Sequence, residues 1–135
     1  MTEDLKALEE LFTDIAEGRT TKVEDVPKVG LRYNSGKVRA DLIPFDVIWH
    51  LSKVLEVGAK KYADRNWELG MSWMSVVGCL MRHLIKFVSG NDIDKETGLP
   101  HIDLVMINAV FLSRYFRTKK QFDDRPKSTC ELIED

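Results

Sequence analysis

Between Pro100 and Phe116 runs a stretch that is apolar around almost the whole circumference of a helix: Ile102, Leu104, Val105, Met106, Ile107, Ala109, Val110, Phe111 and Leu112. A surface helix carries one apolar stripe. A helix apolar all round must be covered on every side, at the centre of a bundle or in an interface between copies. The longest apolar run, residues 104–112, is far too short to span a membrane and holds Asn108. A chain of 135 residues is one domain long, so the rest of it must supply the cover.

That cover is legible as further helices. Leu5, Leu8, Phe12 and Ile15 recur at helical spacing behind the first-turn residues Thr2, Glu3 and Asp4, with Gly18 as a stop. Residues 19–43, with Pro27, Gly30, Asn34, Ser35 and Gly36, read as irregular chain, with a short extended piece over 23–29. Pro44 opens a second helix whose face is Val47, Leu51, Val54, Leu55 and Gly58 and which ends near Tyr62. After a loop over 64–71, Ser72 is a good N-cap for a third. Trp73, Val76, Val77, Leu80, Leu84, Phe87 and Val88 follow its period, and Gly90 ends it. A polar turn over 91–99 leads into the apolar helix, and the charged residues after Thr118 read as a loose tail. No stretch alternates as a strand must, so the expectation is an all-α bundle of about four helices.

Composition narrows the partners. The net charge is −2, and the only basic run is Arg114, Arg117, Lys119 and Lys120, which argues against a nucleic-acid or acidic-membrane binder. Cys79 and Cys130 have no metal-type spacing and read as free thiols of a reducing compartment. The acidic start Met1-Thr2-Glu3-Asp4 is the reverse of a targeting peptide, so a cytoplasmic location is expected, the host cytoplasm if the source is viral.

Three clusters could carry chemistry. His83, Asp92, Asp94, Glu96, His101 and Asp103 fall within one helix–loop–helix, which folds the end of one helix back on the start of the next. Carboxylates so placed suit Mg²⁺ or Mn²⁺, and imidazole tilts the preference towards Mn²⁺. A solvated acidic turn and a satisfied core histidine would give the same pattern. Lys60, Lys61, Tyr62, Arg65, Asn66 and Trp67 combine cations for phosphate oxygens with flat faces for a base. They would equally serve a helix C-terminus and the core. The third cluster, Asn34 to Asp41 with Lys37 and Arg39, is basic and contains glycine but is not a P-loop. Asn108 is placed on one face with His101, and either bonds a neighbouring backbone group or faces a ligand.

Several words occur together in a fixed order: Gly36-Lys37, residues 39–44, Gly58 to Tyr62, Arg65-Asn66-Trp67, Arg82-His83-Leu84, Asp94 to His101, and Asn108 to Leu112. With them the sequence resembles, over about residues 30–116, the phage dATP/dGTP diphosphohydrolases of the MazZ type, relatives of the MazG nucleotide pyrophosphohydrolases. The resemblance implies an all-α pyrophosphohydrolase fold assembled as dimers or tetramers, and cleavage of dGTP and dATP to monophosphate and pyrophosphate. It also implies a supply of dGMP for 2-aminoadenine synthesis in a phage. The broader MazG group carries an ExxE pair on one helix and an ExxD pair on the next as metal ligands. Here the helix of His83 has no carboxylate and Glu56 stands isolated, so other residues must carry the metal.

Local chemistry then assigns Asp94, Glu96, Asp103, His83 and His101 to the metal, and Glu96, His83 and His101 to catalysis. Lys37, Arg39, Lys60, Tyr62, Arg65, Asn66, Trp67 and Asn108 are assigned to the substrate. The chain divides into an N-terminal helix and linker (1–29), a catalytic helical domain (30–117) and a polar tail (118–135). Two other readings compete: an HD-type dNTP triphosphohydrolase, disfavoured because Ile102 separates His101 from Asp103, and a non-catalytic helical interaction module.

Overall fold

The computed structural model describes residues 3–19 and 29–127. They form two compact units, residues 1–42 and 43–135.

In the first unit, helix α1 spans Glu3–Ala16 with Glu3 and Asp4 in its first turn, where the helix dipole favours anions. It ends as expected at Gly18: Gly18 donates to the Ile15 carbonyl (3.2 Å) and Arg19 to that of Asp14 (2.8 Å), the paired bonds of a Schellman cap. Phe12 and Tyr33 meet with ring centroids 5.8 Å apart. Arg39 forms a two-pronged pair with Asp41 (2.7 and 2.6 Å) beside a 3-10 turn at Ala40–Leu42. Most of the extended piece expected at 23–29 lies outside the described residues.

The second unit is a bundle of α2 (Phe45–Lys61), α3 (Trp73–Val88) and α4 (His101–Thr118). The apolar α4 is its shared element, packed against α3 along most of its length and also against α2. Val54 of α2 meets Leu104 and Ile107 of α4, with Leu51, Leu55 and Val110 around them. Trp73 and Val76 of α3 meet Tyr115 of α4, with Trp67, Leu112 and Phe122 around them. Phe111 belongs to both clusters and joins them. The expectation that α4 is covered on every side needs correction within this chain. Its buried residues are His101, Leu104, Ile107, Asn108 and Tyr115, one stripe at helical spacing, while Ile102 is 42% and Phe116 55% exposed. Two neighbouring helices cannot wrap a third completely.

The ends of α3 follow the sequence closely. Ser72 Oγ accepts from the Ser75 amide (3.1 Å), and Gly90, at φ +87°, gives the left-handed turn that lets Asn91 and Gly90 cap the Lys86 and Phe87 carbonyls. The residues after Thr118 are not loose up to Arg125. A 3-10 turn at Lys120–Phe122 tucks Phe122 into the Trp73–Tyr115 cluster. Asp124 then accepts from the Met74 amide (2.9 Å) and the Ser72 hydroxyl, adding a second cap to α3. Arg125 lies over the Trp73 ring, 4.9 Å from its centroid. The tail's polarity hid Phe122, an isolated apolar residue between Lys119 and Arg125 with no period to reveal it. Among the described residues no helix is long and apolar enough to cross a membrane, and the one β-bridge is isolated, between Ile93 and Pro100.

Candidate active site

The connection from α3 to α4 is a tight hairpin of chain, and its hydrogen bonds explain where its acid points. Asp94 donates its amide to the Leu99 carbonyl (2.8 Å), Gly98 donates back to the Asp94 carbonyl (2.8 Å), and His101 donates to the Asp92 carbonyl (2.8 Å). The Thr97 hydroxyl (2.7 Å) and amide (3.2 Å) both donate to Asp94 Oδ2, fixing the carboxylate. Thr97 Oγ1 also accepts from the Leu99 amide (3.3 Å), so one side chain ties the acid to the loop.

This places Asp94 against His83, one turn from the end of α3, and His101, the first residue of α4. One ligand atom from each of His83, Asp94 and His101 lies within 4.8 Å of the others. The two imidazoles face each other with Nδ1 atoms 2.9 Å apart. Two donors bound at right angles to a cation, each about 2.1 Å from it, would stand about 3 Å apart, so this spacing fits neighbouring ligands of one ion. His101 and Asp94 are buried, at 1% and 8% exposure. Burial pulls the His83 pKa below its ordinary value, with Asp94 opposing and His101 adding to the effect. Burial acts to raise Asp94, but the Thr97 hydroxyl and amide and the neighbouring His83 outweigh it and hold the carboxyl below its usual range. Both shifts favour the deprotonated forms that bind metal.

His83 and Asp94 open onto a cleft of about 950 Å³ between the C-terminal half of α2, the loop after it, and the inner faces of α3 and α4. This is the size range of small-molecule sites. Lys61 (Nζ) reaches across to Glu96 (Oε1), 3.0 Å away, joining α2 to the hairpin. Arg65 holds a left-handed backbone (φ 58°), an unfavourable one for a side-chain-bearing residue, and its guanidinium stands 3.6 Å from Glu68. Tyr62, Asn66, Trp67 and Asn108 also line the cleft. The Trp67 ring stacks on Phe111 (centroids 4.6 Å apart, planes 20° apart), and the Tyr115 hydroxyl donates to the Trp67 carbonyl. Trp67 is therefore a cleft wall held in place by the core.

The other sequence-derived candidates fall elsewhere. Glu96 lines the cleft but is 75% exposed at its side chain and engaged with Lys61, outside the triad. Asp103 turns to His50 of α2 (3.8 Å) instead of joining His83 and His101. Lys60 pairs with Glu56 (3.2 Å) along α2. Lys37 and Arg39 belong to the first unit, where Arg39 is matched with Asp41. Two residues outside the final assignment emerge: Lys61, named in the basic cluster but passed over for its neighbour Lys60, and Thr97, which only the folded hairpin shows to be the partner of Asp94.

The family model described as dATP/dGTP diphosphohydrolase, N-terminal, matches residues 27–125. A protein of Salmonella phage PMBT28 described as a dATP/dGTP diphosphohydrolase is 28% identical over 96 residues, 71% of this chain and 33% of that relative. The chain thus spans about a third of the length of that relative. No solved structure matches it.

Proposed function

The chain belongs to the dATP/dGTP diphosphohydrolase N-terminal family, and on that premise we propose that its cleft hydrolyses dGTP and dATP to the monophosphate and pyrophosphate. The observation that carries this reading is the meeting of His83, Asp94 and His101 beside a cleft that also presents Lys61 and Arg65. His83, Asp94 and His101 would hold Mg²⁺ or Mn²⁺, with the two imidazoles favouring Mn²⁺. A divalent cation there supplies Lewis-acid stabilisation of phosphate charge and makes water a better nucleophile at neutral pH.

The chain's own residues do the rest. Arg65 and Lys61 neutralise phosphate oxygens, with Lys60 one residue away on the same helix end. An incoming phosphate competes with Glu96 for Lys61, and the released carboxylate can accept a proton from the attacking water. Tyr62, Asn66, Trp67 and Asn108 line the part of the cleft left for the nucleoside. We assign the dGMP product to 2-aminoadenine synthesis in a phage, within the host cytoplasm. We infer further that the chain works as a homo-oligomer, dimer or tetramer, because α3 leaves Met81, Ile85 and Val88 exposed on one side.

The test is product analysis with each dNTP in the presence of Mn²⁺ or Mg²⁺. Pyrophosphate and dNMP are expected from dGTP and dATP, falling at least about a hundredfold in His83→Ala and Asp94→Ala. Release of triphosphate would replace this reading with the HD-type one, and no product from any dNTP would end it.

A further inference from the structure

Asn108 is the one buried amide in the cleft wall, 7% exposed on the central helix. Its Nδ2 donates to the Leu104 carbonyl at 2.6 Å. A carbonyl only accepts, so the amide cannot be turned over without setting two oxygens against each other; the bond fixes which end is which. The Oδ1 atom therefore points away from Leu104. Among the described residues it receives no hydrogen bond, yet no buried side-chain polar atom is left sealed and unpartnered. Oδ1 thus meets open space, and the space that Asn108 lines is the cleft. The result is a hydrogen-bond acceptor of fixed direction in a wall otherwise made here of Leu104, Ile107 and Phe111.

Its position along α4 matters as much as its direction. Asn108 lies seven residues after His101 on the same helical face, about 10 Å along the axis. That is close to the reach from a phosphate held at the triad to the outer ring edge of a purine.

We propose that Asn108 Oδ1 is the base-reading group of the cleft, accepting an N–H from the purine edge: the 6-amino group of adenine, or the ring N–H and 2-amino group of guanine. This deepens the nucleotide reading above and rests on it. A lone fixed acceptor explains how one site takes both purines. Each offers an N–H donor on that edge, adenine at position 6 and guanine at positions 1 and 2. One acceptor serves both once guanine is shifted along the wall to bring those N–H groups, and not its 6-oxo group, to Oδ1. A base with no N–H on that edge leaves Oδ1 desolvated and unpaired, which weakens binding even though the ring still fits.

The experiment is a cycle of two proteins and two ligands, read by calorimetric binding to the Mn²⁺-loaded chain, with pyrophosphate release measured alongside. The ligands are dATP and the triphosphate of purine 2′-deoxyriboside, which has hydrogen in place of the 6-amino group. Wild type is expected to bind dATP about tenfold more tightly, while Asn108→Leu binds the two within about twofold of each other. Damage to the cleft as a whole would weaken both ligands equally and preserve the ratio, which would overturn the assignment. So would wild type binding both alike. Asn108→Ala replaces the leucine variant if the latter does not fold. Selectivity lost with Asn108 but no pyrophosphate release would keep the base-reading role and remove the hydrolase reading. Pyrophosphate release with no selectivity would do the reverse.

Discussion

Replacing Thr97 with valine is the most exacting test of how the triad is built. Valine keeps the branched shape and volume of threonine, so the hairpin should retain its form, but it removes the hydroxyl that donates to Asp94 Oδ2 at 2.7 Å and accepts from the Leu99 amide at 3.3 Å. A hydrogen bond to a carboxylate contributes about 1.5–3 kcal/mol, and the weaker bond to Leu99 about 0.5 kcal/mol. The Thr97 amide, at 3.2 Å, still donates to Asp94 and keeps the carboxylate partly oriented, so only part of this loss is felt at the metal. A net loss of about 1.4–2.8 kcal/mol corresponds to a ten- to hundredfold fall in Mn²⁺ affinity, the usual size for a group that orients a ligand. The assay is a Mn²⁺ titration by calorimetry or by the loss of the free-ion electron paramagnetic resonance signal. Thr97→Ser, which keeps the hydroxyl, should stay near wild type. Equal Mn²⁺ affinity in wild type and Thr97→Val would show that Asp94 does not depend on this bond for its role, and would refute the account of the hairpin as a ligand holder.

Three further outcomes are expected. Tyr115→Phe removes the donor to the Trp67 carbonyl from a fully buried ring and should cost about 1–3 kcal/mol in urea unfolding; an unchanged midpoint would mean that the carbonyl finds another donor. Gly70 sits at φ +99°, where a Cβ would fall 2.4 Å from Phe122, so Gly70→Ala should lose about 1–3 kcal/mol. Adding Phe122→Ala should recover the steric part, and strictly additive losses would deny the contact. The Ser72 hydroxyl and Met74 amide hold the Asp124 carboxyl below its ordinary value of 3.8. A lowered folded-state pKa stabilises above the unfolded value and is lost as pH falls through the folded one, so the melting temperature of wild type should fall towards that of Asp124→Asn below about pH 4. A constant gap between the two down to pH 2 would contradict this.

Helices were the legible part of the chain. The 3.6-residue period of α3, the Ser72 cap and the Gly90 stop are local properties, written in neighbouring residues and kept in the fold. The docking of Phe122 and Asp124 on α3 was not legible, because it joins residues about fifty apart by a few isolated contacts that leave no pattern. The site divides along the same line. His83, Asp94 and His101 were among the candidates because polar ligands in apolar or turn settings stand out by type. Asp103 and Glu96 have the same chemistry but meet His50 and Lys61, and only the direction in which each side chain leaves the backbone separates them from the triad. Asn108 was legible as an anomaly in an apolar helix. Which end of its amide faces the cleft depends on Leu104 lying one turn back on the same helix.

The closeness of the triad in sequence has a consequence for how the site assembles. His83 and His101 are 18 residues apart, and Asp94 lies between them, inside a turn closed by its own hydrogen bonds. Closing so short a loop costs little chain entropy, and local contacts of this kind form early in folding. If the triad takes a cation as proposed, the helical hairpin can capture it before α2 docks, and metal present during refolding should then speed the formation of the whole bundle as well as stabilise its final state. The cleft beside it needs α2 and the Trp67 loop, so it closes over a hairpin already formed.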